Sequence, residues 1–160
     1  MKRGGYIQRK TELARSPFKK KSKRKKSPRI LMKDKAWKAF SRYIRLRDAL
    51  KTTGTPDRCI CVTCGQEKPA FGKGCIHAGH WLGGRAGKNL FAEHACAGQC
   101  YGCNVNEHGK SAAYQAYMVK EYGWNEMDRL TLQANTPYTY SLDEFEAIKD
   151  KYERMYEDLA

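Results

Sequence analysis

CVTCG at residues 61–65 and CYGCN at residues 100–104 are two Cys-x2-Cys knuckles, and the chain between them includes CIHAGHWLGGRAGKN at residues 75–89. Two thiolates this close in sequence reach one ion only if the backbone turns tightly, and Gly65 and Gly102 suit such turns. Together the pairs offer Cys61, Cys64, Cys100 and Cys103 as the tetrahedral four-sulfur shell of a structural zinc. The 35 residues between the pairs exceed the roughly 15–20 of a zinc ribbon, which implies that something is built between them. Cys59 and Cys96 lie near enough to the pairs to be alternative ligands for Cys61 and Cys100. Cys75 reads as a small buried residue.

A four-sulfur zinc is coordinatively closed and does no Lewis-acid chemistry. All four histidines, His77, His80, His94 and His108, nevertheless fall within 32 residues around the knuckles, and Asn104 directly follows the last cysteine. That order fits a second site of ββα-metal type, in which a strand supplies a histidine and a helix supplies a further ligand.

Helices are expected on either side. DKAWKAFSRYIRLRDAL (34–50) carries Trp37, Phe40, Ile44 and Leu50 near one face, with Asp34 as cap and Lys38, Arg42, Arg45 and Arg47 over the solvated remainder. TTGTPD (52–57) ends it. SAAYQAYMVKEYG places Tyr114, Tyr117, Met118 and Tyr122 on one side, read as core, with Gly123 as a stop and a short helical piece over 125–134. SLDEFEAIKDKYERMYEDL opens on a capping box, Ser141 with Glu144, and carries the stripe Phe145, Ile148, Tyr152, Met155 and Leu159. Its acids lie on the outer face, which argues against this helix lying on DNA.

The charge is concentrated at one end. Residues 1–29 hold thirteen Lys and Arg against one acid, Glu12, whereas the rest of the chain is almost balanced. Such a block repels itself, buries little and is expected to be disordered, with a polyanion as partner. Lys19, Lys20, Lys21, Lys23, Arg24, Lys25 and Lys26 are its densest stretch, and with Arg85 and Lys88 of the glycine-rich loop they are the candidate DNA contacts. No run of about 18 apolar residues and no signal-peptide core occurs, so no membrane partner and a reducing cytoplasm are expected. The fold class expected is α+β: a disordered basic arm (1–30), a packing helix (31–52), a zinc-stabilised ββα-metal core (53–112) and C-terminal helices (113–160).

CVTCG, HAGHW and QCYGCNVNEHG followed by AAY, with YIRLRD upstream and YSLDEFEAIKDKYERM downstream, resemble the phage NinG (Rap) recombination nucleases, relatives of the HNH endonucleases. The resemblance covers about residues 36–156. It implies an HNH-like, metal-dependent DNA endonuclease, phage-encoded and active in the bacterial cytoplasm, cutting branched recombination intermediates such as D-loops and Holliday junctions with Mg²⁺ or Mn²⁺. His80 matches the histidine of the family's AGH and would be the general base. Asn104 and His108 match later positions of the motif and would serve catalysis and the catalytic ion, with His77 as a further ligand. Symmetric cutting of a four-way junction implies a homodimer, and phage or host recombination proteins are candidate partners. HNH proteins usually carry an Asn about five residues before the second knuckle. Ala95 stands there in this chain, with His94 or Asn89 as replacements. The alternative is a zinc-finger DNA-binding protein without catalysis, which would have no need of His80 and Asn104 at these positions.

Overall fold

A computed structural model describes residues 25–82 and 87–160. Lys19, Lys20, Lys21, Lys23 and Arg24 of the expected arm, and Arg85 of the glycine-rich loop, lie outside the described residues. The described residues form α1 (Pro28–Thr53), the strand pair β1 (Arg58–Ile60) and β2 (Glu67–Pro69), the strand pair β3 (His77–His80) and β4 (Cys96–Gln99), then α2 (Ser111–Ala134) and α3 (Leu142–Leu159). Both pairs are antiparallel, and in the second His77 faces Gln99 and His80 faces Cys96. The architecture is mixed α and β, in keeping with the expected class. No helix among the described residues is long and apolar enough to cross a membrane.

Helix α1 starts at Pro28 rather than at Asp34, and so takes in the last residues of the segment expected to be disordered. The reason is local. The Ser27 hydroxyl accepts the Ile30 N–H, and proline at the first helical position sacrifices no hydrogen bond. Asp34 lies inside the helix and pairs with Lys26. Gly54, in the left-handed region at φ 70°, closes the helix where the TTGTPD turn places its end.

The helix is the hub of the molecule. Phe40, fully buried, meets Tyr152 of α3 edge-on at 4.9 Å and Phe91 at 5.7 Å. Burial of one such ring contributes about 1.5–3 kcal/mol. Another turn of α1 holds an ion pair that departs from the solvated face expected of its basic residues. Asp48 is 2% exposed; its carboxylate accepts Arg47 Nε at 2.8 Å and the Gly98 N–H of β4 at 2.7 Å. Arg47 also donates to the carbonyls of Glu93 and Cys96. Burial alone would lower the Arg47 pKa, but the adjacent carboxylate outweighs it and keeps the guanidinium firmly charged.

The β3–β4 pair lies between α1 and α2. The two-residue period of β4 sends Cys96 into the cluster with Phe40 and Ala97 into the cluster with Tyr114 and Met118. Tyr114 is fully buried and donates its hydroxyl to the Gly79 carbonyl at 2.8 Å, which makes it core as expected. Helical geometry breaks at Gly123 (φ 75°, ψ 169°) and resumes for the short piece beyond. Helix α3 carries the full capping box: Ser141 Oγ accepts the Glu144 N–H, and Glu144 Oε2 accepts the Ser141 N–H. Phe145 and Tyr152 are its buried stripe, whereas Leu159 is 40% exposed.

Glu93 joins the layers, accepting from the hydroxyls of Tyr43 and Tyr152 and from Lys151. Burial raises its pKa, but the hydrogen bond and charge of Lys151 and the two hydroxyls prevail, so the net shift is downward. A carboxyl depressed in the folded state contributes stability that is present above its unfolded pKa and lost as pH falls through the folded one. Urea unfolding followed from neutral to acidic pH should therefore show a shallower acid loss in Glu93→Gln than in the parent.

Candidate metal centre and the cleft beside it

Cys61, Cys64, Cys100 and Cys103 come together with all four sulfurs within 4.8 Å of one another. A tetrahedral ion with Zn–S bonds of about 2.3 Å sets its sulfurs about 3.8 Å apart. Cys64 Sγ and Cys100 Sγ are 3.8 Å apart. The donor set therefore fits zinc in both type and spacing. Cys59 is turned away into the core, where burial pushes its thiol up to about 11, so Cys61 is the ligand on that arm. Cys96 is likewise buried in the α1–α3 core, leaving the second arm to Cys100. Cys75 is only half-buried and accepts from Arg45 Nη1 at 3.5 Å.

Although burial opposes it, hydrogen bonding from the Thr63 hydroxyl and the Cys100 N–H holds Cys61 down at about 6. Burial and hydrogen bonding among the neighbouring thiols push Cys64 up to about 12, and burial also raises Cys103. Four thiolates in one pocket cannot all ionise without a cation, which a zinc ion bound there would supply. The surrounding cluster is small, with Ala49, Cys59, Ala70 and Ile76 as its buried non-ligand members.

The histidines divide. His77 and His80 are three apart on one strand, so the two-residue period sends them to opposite sides. His77 faces the one-turn helix Gly102–Asn106 that follows the second knuckle, and its Nδ1 accepts from Asn104 Nδ2 at 3.3 Å. Tyr101 packs edge-on against the His77 ring at 5.6 Å. Along the edge of β3 away from β4 runs a cleft of about 230 Å³, lined by Trp37, Ser41, Arg45, Cys75, His77 and Asn104 among others.

His80 turns toward α1, where its ring stacks on Trp37 at 5.2 Å; Trp37 also lines the cleft, whereas His80 does not. His80 Nε2 lies 3.1 Å from the Leu90 carbonyl. A carbonyl only accepts, so Nε2 carries a proton, and in the neutral ring the lone pair falls on Nδ1. Leu90 is held in a 3-10 turn (Lys88–Phe91) whose buried Asn89 donates Nδ2 to the Leu130 carbonyl at 2.7 Å.

His94 is pointed elsewhere. It is stacked on Tyr122 and hydrogen-bonded to Glu126. Ala95 is buried in the α2 cluster, and its carbonyl accepts the Trp81 N–H. His108 is exposed on a left-handed turn at φ 49°. Among the described residues, the four cysteines are the sole group of three or more His, Cys, Asp or Glu donors able to hold one ion, so His77 and His108 are not joined in such a group. Trp37 and Arg45, read from the sequence as helix stripe and solvated face, and the Leu90 carbonyl are parts of this region that sequence reasoning did not assign to the site.

Gly79 fixes the spacing. A Cβ there would lie 2.3 Å from Oε1 of the buried Gln99 and 3.0 Å from Asn104 Oδ1, so glycine leaves room for the Gln99 side chain with Asn104 close beside it.

The family model described as Bacteriophage Lambda NinG protein matches residues 4–160. The chain belongs to this family. In the NinG frame, both knuckles, the β3–β4 pair and the closing helix α3 all lie inside the matched span. Searches of curated proteins and of solved structures gave no match.

Proposed function

We propose that this NinG-family chain is a metal-dependent, HNH-like DNA endonuclease that cuts branched recombination intermediates, D-loops and Holliday junctions among them, with His80 as general base. The observation that carries the reading is the His80 Nε2–Leu90 carbonyl contact. With Nε2 donating there, a neutral His80 would carry its lone pair on Nδ1, the form needed to take a proton from an attacking water near neutral pH. Asn89 anchors the turn that presents that carbonyl and so acts as a positioning residue. This supplies an orienting element in place of an Asn at Ala95.

Arg45 and Asn104 line the same cleft as His77, giving it a cation for a phosphate and polar groups beside it. A divalent ion, Mg²⁺ or Mn²⁺, would take His77 and Asn104 as its protein donors, and its chemistry there would be to neutralise charge on the scissile phosphate. His80, on the other side of β3 with its ring on Trp37, would reach a water at that phosphate only through a shift of Trp37. Two protein donors suit an ion that keeps several waters. His108, on its exposed turn, would join only through a shift of that turn. Lys25, Lys26 and Lys88, together with the basic residues before them and Arg85, would supply sequence-independent DNA affinity.

The test is cleavage of labelled linear, forked and four-way DNA in EDTA, Mg²⁺ or Mn²⁺, with binding measured in parallel. The parent is expected to cut branched substrates in either metal. His80→Ala should lose about 10²–10⁴-fold in rate and keep its binding. Binding by both proteins with cutting by neither would instead support the non-catalytic zinc-finger reading.

A further inference from the structure

We infer that the chain carries a pocket for one unstacked nucleotide of single-stranded DNA, between the N-terminal turn of α1 and the segment that leads into α3. This deepens the nuclease reading and rests on DNA being the ligand. The pocket encloses about 430 Å³. Small-molecule pockets begin at roughly 300 Å³, so a base with its sugar fits.

Its floor is apolar and its rim is cationic. Leu90 and Phe145 are buried at the base, and Ile30, Tyr138 and Tyr140 form walls. Tyr140 is fixed: its hydroxyl donates to the Lys88 carbonyl, its ring packs against Phe91 and Phe145, and its own carbonyl accepts Arg29 Nη2 at 2.7 Å. Tyr138 packs edge-on against Tyr140 at 4.8 Å and donates its hydroxyl to Glu144, yet 37% of it remains exposed. Arg29 and Lys33 line the opening, and Lys88 Nζ lies 5.2 Å from the Tyr138 ring centroid. Among the described residues, no Asp or Glu lines the pocket.

A held aromatic beside several cations is how a protein grips a single strand, the ring stacking a base and the cations tracking the backbone. Duplex DNA keeps its bases stacked and offers nothing to such a ring, whereas a fork or junction presents unpaired bases at its branch point. Position agrees with this. Leu90, whose side chain lines the pocket, supplies through its carbonyl the bond to His80. The pocket also opens at the start of α1, directly after Lys25 and Lys26.

The experiment measures binding of the full chain, Tyr138→Ala and Tyr138→Phe to an oligo-dT of roughly a dozen nucleotides, a length within single-strand site sizes, to a duplex of equal length and to oligo-U. Titrations run over a range of salt. Tyr138→Ala should weaken oligo-dT binding by on the order of tenfold or more, the effect of one stacked base, and leave duplex binding unchanged. The salt slope for oligo-dT should stay the same, because the phosphate contacts remain. Tyr138→Phe should bind like the parent, since it keeps the ring and loses only the bond to Glu144. Equal losses for single strand and duplex, or no loss for the single strand, would overturn the pocket while leaving the DNA reading intact. A larger effect on oligo-U than on oligo-dT would overturn the assignment to DNA. Failure of the parent to bind any DNA would remove both readings together.

Discussion

In zinc-loaded protein, adding a chelator, or replacing Cys100 by Ser, should unfold the segment from Arg58 to Lys110 while leaving much of the α1–α3 pairing helical. The two halves of the molecule rest on different supports. Around the sulfurs the buried non-ligand side chains are Ala49, Cys59, Ala70 and Ile76, too little apolar surface to repay the ordering of a segment made of turns and three- to four-residue strands. A structural zinc supplies about 10–16 kcal/mol of apparent binding free energy, which becomes folding free energy when no site exists in the unfolded chain. The α1–α3 core instead keeps Phe40, Ile44, Phe145 and Tyr152, all carried by the two helices themselves. Circular dichroism with added chelator should therefore lose a fraction of its signal, while amide exchange becomes fast throughout the knuckles and β3–β4. Because the ligands are thiolates, acid must release the metal too, and zinc retention should fall as pH drops. Full retention of exchange protection in metal-free protein would show that the segment folds unaided.

The second large effect is expected at Asp48. Asp48→Ala removes the partner of a guanidinium that is mostly buried and leaves the Gly98 N–H without its acceptor. Breaking a buried pair from one side costs about 3–5 kcal/mol, because the remaining charge stays desolvated. Asp48→Asn keeps an acceptor for Gly98 and should cost less. The double variant Arg47→Leu, Asp48→Ala removes the stranded charge and should recover part of the loss, so the two single effects will not add. Urea unfolding of the four proteins closes this cycle. The consequence reaches the cleft: Asp48 ties β4 to α1, and β4 holds β3 in the register that sets His80 across from Cys96. A loosened β4 should therefore reduce any His80-dependent activity even in protein that is still folded.

The parts of this molecule legible in its sequence are those whose cause is local. Cys-x2-Cys spacing marks ligand pairs because two thiolates and a turn are sufficient, and Ser141 with Glu144 marks a helix start because both capping partners lie within one turn. The opposite directions of His77 and His80 were also available, since residues three apart on a strand cannot share a face. What was hidden depends on distant groups. Arg47 and Asp48 look like any charged pair on a solvated helix until β4, fifty residues on, covers them. The element that orients His80 is a backbone carbonyl, which leaves no trace in residue type. The pocket between α1 and the start of α3 joins segments more than a hundred residues apart, and each reads as ordinary surface alone.

The break at Gly123 settles a question of phase. Met118 and Met127 are nine residues apart, and at about 100° per residue an unbroken helix would direct them to opposite sides. Both are nevertheless buried in the one cluster behind β4. The positive φ of Gly123 resets the rotation, so that the short helices on either side of the kink present their methionines to the same cluster. Any residue with a side chain at that position would favour a continuous helix, which could seat one methionine or the other. Leu130, whose carbonyl anchors Asn89 and through it the Leu90 turn, would turn away together with Met127. One glycine far from the cleft thus sets the angular alignment of the support on which the His80 contact depends.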